Sequence, residues 1–164
     1  MARSTSRVFA CWRALVADLA AAPWTPHPTT GELPAPVTFC VPPQYVGEIV
    51  AVPGRKPQGG ASQTRATQGA GSGKVEVFTL VVGVSTSVPG RTAEEAHDRL
   101  EELCDIVQRA LRSSTTGLPI GDALGALAIP TLRWDVSDVT PAIYPISEGF
   151  AGDATLEVTF FTRI

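Results

Sequence analysis

Gly69 to Lys74 (GAGSGK) comes nearest to a phosphate-binding loop. That chemistry requires a glycine five residues before the Gly-Lys pair, a following Ser or Thr, and a helix whose first N–H groups meet the phosphate. Here Gln68 occupies the glycine position, Val75 follows the lysine, and a strand-like run comes next. Gly83 to Ser87 (GVSTS) imitates a nucleophile elbow, but its last residue is a serine and the motif alone is weak. A Ser-His-acid arrangement needs a histidine, and the chain has two, His27 and His97. His27 falls in a proline-rich stretch and His97 on the polar face of a helix, so hydrolysis is not expected. Glu94, Glu95, Asp98, Glu101, Glu102 and Asp105 crowd that same helix. A metal site needs His or Cys converging with the acids, and one histidine does not supply it. The readings left for Glu94, Asp98, Glu101, Glu102 and Asp105 are a solvated face or a face turned to a channel, where like charge repels a passing polyanion. No catalytic residue, cofactor or metal is expected.

The elements that carry these residues centre on 74–112. Val75 to Val82 (VEVFTLVV) is the strongest strand signal, and Gly83 to Gly90 finishes the strand and turns the chain. Its valines, Phe78 and Leu80 are apolar on both faces, so both faces should be covered, one by the helix that follows and the second by the N-terminal helix or another subunit. Thr92 then opens a helix from Ala93 to Leu111, with Glu95 as capping-box partner. Ala96, Leu100, Leu103, Cys104, Val107 and Leu111 form its apolar stripe. Glu95–Arg99 and Asp105–Arg109 have i,i+4 spacing for weak surface pairing.

Upstream, Val8, Trp12, Leu15, Val16 and Leu19 mark an amphipathic helix over about Ser4 to Ala22, with Arg7, Arg13 and Asp18 off the stripe. Arg13 and Asp18 also interrupt what would otherwise imitate a secretory signal, and no apolar run approaches a membrane span. Pro23 to Pro36 (PWTPHPTTGELPAP) cannot be regular structure and reads as an extended connector on the surface of a neighbour, with Trp24 and His27 as contact candidates. Val37–Val41 and Tyr45–Val52 read as strands. Pro53 to Lys74 follows, a Gly/Ser/Gln/Thr-rich stretch with Arg55, Lys56, Arg65, Lys74 and no acid. Flanked by strands, it reads as the flexible tip of a long β-hairpin, and a loop of this length is usually functional or disordered. It is solvated, orders against a partner protein, or touches a phosphate backbone.

Ser113 to Asp122 reads as loop, Leu127 to Val136 as a strand broken at Pro130, and Asp138 to Asp153 as a Pro/Gly-marked connector. From Ala154 the chain alternates: Leu156, Val158, Phe160, Thr162 and Ile164 inward, Thr155, Glu157, Thr159 and Arg163 outward, with Phe161 breaking the polar face. The expected architecture is α+β: a mixed or antiparallel sheet with a long hairpin loop, one long helix packed on it, and an N-terminal amphipathic helix.

At 164 residues, 44% apolar, 18% charged and a net charge of −3, the chain fits one soluble domain over 1–164 and neither a DNA-coating nor a membrane-surface protein. Cys11, Cys40 and Cys104 have no CxxC spacing and read as buried free thiols from a reducing compartment.

The run LVVGVSTSVPGRTAEEAHDRLEELCDIVQRAL resembles the middle of tail terminator (tail-completion) proteins of long-tailed bacteriophages. The shared pattern is an apolar strand, Gly-Arg-Thr before an Ala/Glu-rich helix, a Pro/Gly-rich return, and an alternating C-terminal strand. The glycine-rich loop and the Pro23–Pro36 connector depart from it. The resemblance implies a non-enzymatic virion protein of the tail or neck, made in the bacterial cytoplasm. It would assemble with itself into a ring, commonly a hexamer, that caps the tail tube protein and docks to the head-tail connector or stopper. Non-specific contact with DNA in the channel is also implied, and no membrane. The alternatives are another head-tail neck or adaptor protein, or a DNA-contacting module using the 53–74 loop, whose binding would weaken steeply with salt.

Overall fold

The computed structural model describes residues 7–40, 47–53, 64–66, 75–111, 122–127, 129 and 132–163. Arg55, Lys56, Lys74 and most of the 53–74 stretch, like Val41, Pro130 and Ile164, lie outside them. The elements are α1 (Val8–Ala20), β1 (Ile49–Ala51), β2 (Thr64–Ala66), β3 (Val75–Pro89), α2 (Ala93–Ala110), α3 (Asp122–Ala126), β4 (Arg133–Ile146) and β5 (Gly149–Arg163). The sheet runs β1-β3-β5-β4, with β2 also on β3, and the described pairings are antiparallel. This is the expected α+β architecture of helices on an antiparallel sheet.

β3 does not end at Val82. It continues through GVSTSVP to Pro89 and pairs with β5 from Val75↔Arg163 to Pro89↔Gly149. Val84, Thr86 and Val88 keep the inward parity of Phe78, Leu80 and Val82, so burial extends the strand past Gly83. The turn falls at Gly90, whose φ of 68° suits glycine. α2 then starts with the expected capping box, Thr92 and Glu95 exchanging side-chain and backbone hydrogen bonds.

The main core lies on one side of the sheet. Leu80, Val82, Leu156, Val158 and Phe160 meet Leu100, Leu103 and Val107 of α2 and Cys11, Leu15 and Leu19 of α1. Each fully buried leucine there contributes about 1.5–3 kcal/mol. Gly152 lets α2 sit close: a Cβ at that position would stand 2.8 Å from Ile143 Cδ1 and 3.2 Å from Leu100 Cδ2. On the other side Val81 is buried and Val77 half-buried, but α1 does not cover them, because it packs on the α2 side. Its apolar stripe and the stripe of α2 close over the same sheet face.

Three further expectations change. Residues 37–40 form no strand and touch β1 through one parallel bridge, Thr38↔Ala51. Asp18 is buried, its carboxylate accepting the Ala123 N–H (2.6 Å) and the Leu124 N–H (3.1 Å) at the start of α3. Asp138–Asp153 is mostly strand: β4 and β5 form a long hairpin with Ser147 and Glu148 at its turn. No helix among the described residues is long and apolar enough to cross a membrane.

Candidate assembly surfaces

Arg99 was expected on the surface beside Glu95. It is instead 3% exposed. Its position explains this: Ala96, Leu100 and Leu103 stand at i−3, i+1 and i+4, all buried. Glu95, left outside, pairs with Arg91 at 3.1 Å and is held below the usual carboxylate range mainly by the Thr92 N–H. Asp105 and Arg109 do pair on the surface, at 3.6 Å.

Inside, the guanidinium uses its full donor set. Nε and Nη2 donate to the two oxygens of Glu48 at 2.8 and 2.7 Å. Nη1 donates to Thr25 Oγ1 (2.7 Å) and Glu102 Oε2 (2.9 Å), and Nη2 also to the Thr25 carbonyl (2.8 Å). Thr86 Oγ1 donates to Glu48 Oε2 at 2.9 Å, and Thr25 Oγ1 to Glu102 Oε1 at 2.8 Å. Burial opposes the charge of Arg99, but the bonds it donates to Glu48 and Glu102 raise its pKa regardless. Glu102 is held low, first by the Thr25 hydroxyl and also by Arg99. The segment before β1, the connector, β3 and α2 thus meet in one network built on Arg99 and Glu48. Sequence reasoning missed this site; its signals were a charge framed by core positions on α2 and an acid, Glu48, opening an apolar run.

The same clamp decides where the connector lies. His27 is buried, and its Nδ1 accepts the N–H groups of Thr29 (3.0 Å) and Thr30 (3.2 Å). The proton therefore sits on Nε2, which donates to the Ser87 carbonyl at 2.7 Å. Trp24 Nε1 donates to the Leu19 carbonyl, and the ring is half-buried against the core. Ala35 N–H reaches the Glu48 carbonyl. In this structure Pro23–Pro36 is a strap across its own subunit, with Trp24 and His27 turned inward.

Glu94, Asp98, Glu101, Glu102 and Asp105 are exposed on α2. With Pro23, Thr25, Ile106 and Arg109, the last four line a shallow groove. His97, Asp98 and Glu101 each bring a ligand atom within 4.8 Å of the others. All three are exposed, so water competes for any ion held there. Ser85 donates to Asp153 rather than to a histidine, which removes the geometry of an elbow nucleophile. Arg65 stands in β2 at the register position opposite Glu76.

Cys11 and Cys104 are buried, and burial pushes their thiols up to about 12 and about 11. Cys40, expected to be buried, is exposed because residues 37–40 do not join the sheet.

Apart from Leu33 in the connector, the largest exposed apolar side chains fall into two regions. Phe9 is 70% exposed and stacks on Trp12, which meets Phe39 edge-on at 5.7 Å. On the far side of the sheet and its β4 edge are Phe161, Tyr144, Ile146 and Val139.

No family model matches the chain, and no curated protein does. Among solved structures it is similar to a chain in the virion of a native gene transfer agent particle. The two share 16% identity and superpose with a TM-score of 0.55 over 98% of this chain and 100% of that one. At that identity the likeness is one of fold.

Proposed function

We propose that the chain is a structural virion protein that acts as a tail terminator, forming a ring that caps the tail tube and joins it to the head connector. The observation that carries the reading is the end-to-end likeness of fold to a chain of a phage-like particle. The tail-terminator resemblance of the β3–α2 run supports the finer role. The buried polar residues support it as well: Arg99, Glu48, His27 and Asp18 are each occupied in holding segments of the chain together. In this reading the basic residues Arg55, Lys56, Arg65 and Lys74 make contacts between subunits or rings. The Pro23–Pro36 connector, shaped by Trp24 and His27, makes such contacts too, and the acidic face of α2 lines the channel or faces solvent. The protein is made in the host cytoplasm and ends in the neck of the particle.

Light scattering and negative-stain imaging of the purified protein, alone and mixed with tail tubes, test this. Rings of about six subunits, or caps on one tube end, are the expected result. A monomer that ignores tubes and binds DNA at low salt overturns it.

A further inference from the structure

The strap can use His27 in one protonation state only. Nδ1 accepts the N–H groups of Thr29 and Thr30, closing the turn as a capping side chain closes the start of a helix. The Gly31 N–H completes the turn on the His27 carbonyl, and the His27 N–H goes to the Glu32 carbonyl. Nε2 donates to the Ser87 carbonyl at the end of β3. The ring is 5% exposed, so water does not freely replace a lost bond.

A proton on Nδ1 turns that acceptor into a donor. The ring then faces two N–H groups, and the turn loses both of its side-chain bonds. The groups packed around it offer no counter-ion. The acid of the strap is Glu32, which is exposed and bound through its carbonyl. β3 brings Ser87 and Val88, which carry no charge. Arg91, Glu95, Asp98, Arg99 and Glu102 line the groove beside Pro28. Arg91 pairs with Glu95, Asp98 meets His97, and Arg99 holds Glu48 and Glu102.

We infer that His27 is an acid-released latch, whose neutral ring holds residues 27–32 of the strap on the end of β3 and whose protonation lets them go. The sign follows from the bonds. The seated strap takes the neutral ring, whereas the released strap takes either form. The latch therefore holds above the ordinary histidine value of about 6.5 and weakens as pH falls below it. Glu95 and Glu102, both held low, stay charged through that window. Release is local, because Thr25 remains tied to Arg99, and it opens the groove that Pro28 walls. The inference stands whether or not the chain forms rings.

Hydrogen–deuterium exchange of the full chain, read by mass spectrometry and corrected for the intrinsic effect of pH, tests this. Between about pH 8 and about pH 5, protection over residues 27–32 should fall about tenfold or more, while α2 and β5 keep theirs. His97→Gln should show the same fall, since His97 is exposed on α2 and far from the turn in sequence. His27→Gln cannot titrate at this position and should show no fall, whether its strap is seated or already open. Unchanged protection in the wild type overturns the inference. So does a fall that survives in His27→Gln or disappears in His97→Gln. A fall shared evenly by the whole chain overturns it as well, because that is global unfolding and not release of a latch.

Discussion

Two stretches of this chain look alike in sequence and fold differently. Pro23–Pro36 carries five prolines and Asp138–Asp153 two prolines and two glycines. The first is an irregular strap and the second most of a β-hairpin. The difference lies in which backbone N–H groups proline removes. The two-residue turn makes Ile146↔Gly149 the first hydrogen-bonded pair. Counting back by alternate pairs puts Pro145 and Pro141 at non-bonded positions, where an N–H would point away from β5. On an edge strand proline loses no ladder bond there and blocks pairing with another chain. The strap has no such register. Its order comes from a few local backbone bonds, such as His27 N–H to the Glu32 carbonyl, and from side chains, chiefly those of Arg99 and His27.

The comparison breaks most sharply at Arg99. Arg99→Met leaves the Glu48 carboxylate buried without its partner, and should cost about 3–5 kcal/mol in urea unfolding. Changing Glu48 to Met as well should regain much of that loss, since the uncompensated charge goes with it. A loss under about 1 kcal/mol for Arg99→Met would mean that the strap holds without its clamp.

His27→Ala gives up the Ser87 bond and strands two strap N–H groups. A loss of about 1–3 kcal/mol is expected, with faster proteolysis inside 23–36 than elsewhere. Cleavage at an unchanged rate would count against the strap being held from within.

In the hairpin the sharpest contrast is between neighbours. Ala142→Pro removes a ladder bond to Asp153 and should cost about 1–3 kcal/mol. Pro141→Ala should stay within about 0.5 kcal/mol but raise self-association at high concentration, measured by light scattering. Equal costs for the two would refute the parity argument.

The smallest effect is a pH dependence. The folded-state pKa of Glu102 is lowered, by the Thr25 hydroxyl first. Its stabilising share is therefore present above the ordinary glutamate value of about 4.3 and is lost as pH falls below it through the depressed one. Glu102 is half exposed, so the share is small. Glu102→Gln should flatten that part of the acid limb in melts taken across the range.

Where local order follows from spacing, it could be read directly. The capping box, the apolar stripe of α2, the alternation from Ala154 to Thr162 and the α+β layout need only periodicity and end chemistry. Some of the buried polar positions left a trace, since Asp18 and Arg99 each sit beside core residues on their helices. Their partners left none. Ala123 lies 105 positions from Asp18, Glu48 lies 51 from Arg99, and Ser87 lies 60 from His27. The helical periods of α1 and α2, the capping of α2 and the alternation of β5 were thus determined by the sequence alone. Which charges go inside, on which side α1 lies, and whether a proline-marked stretch is strap or strand were decided only in the tertiary structure. A buried charge or an edge proline is tolerated only when distant segments arrive to complete its hydrogen bonds or make them unnecessary, and no local pattern encodes that arrival.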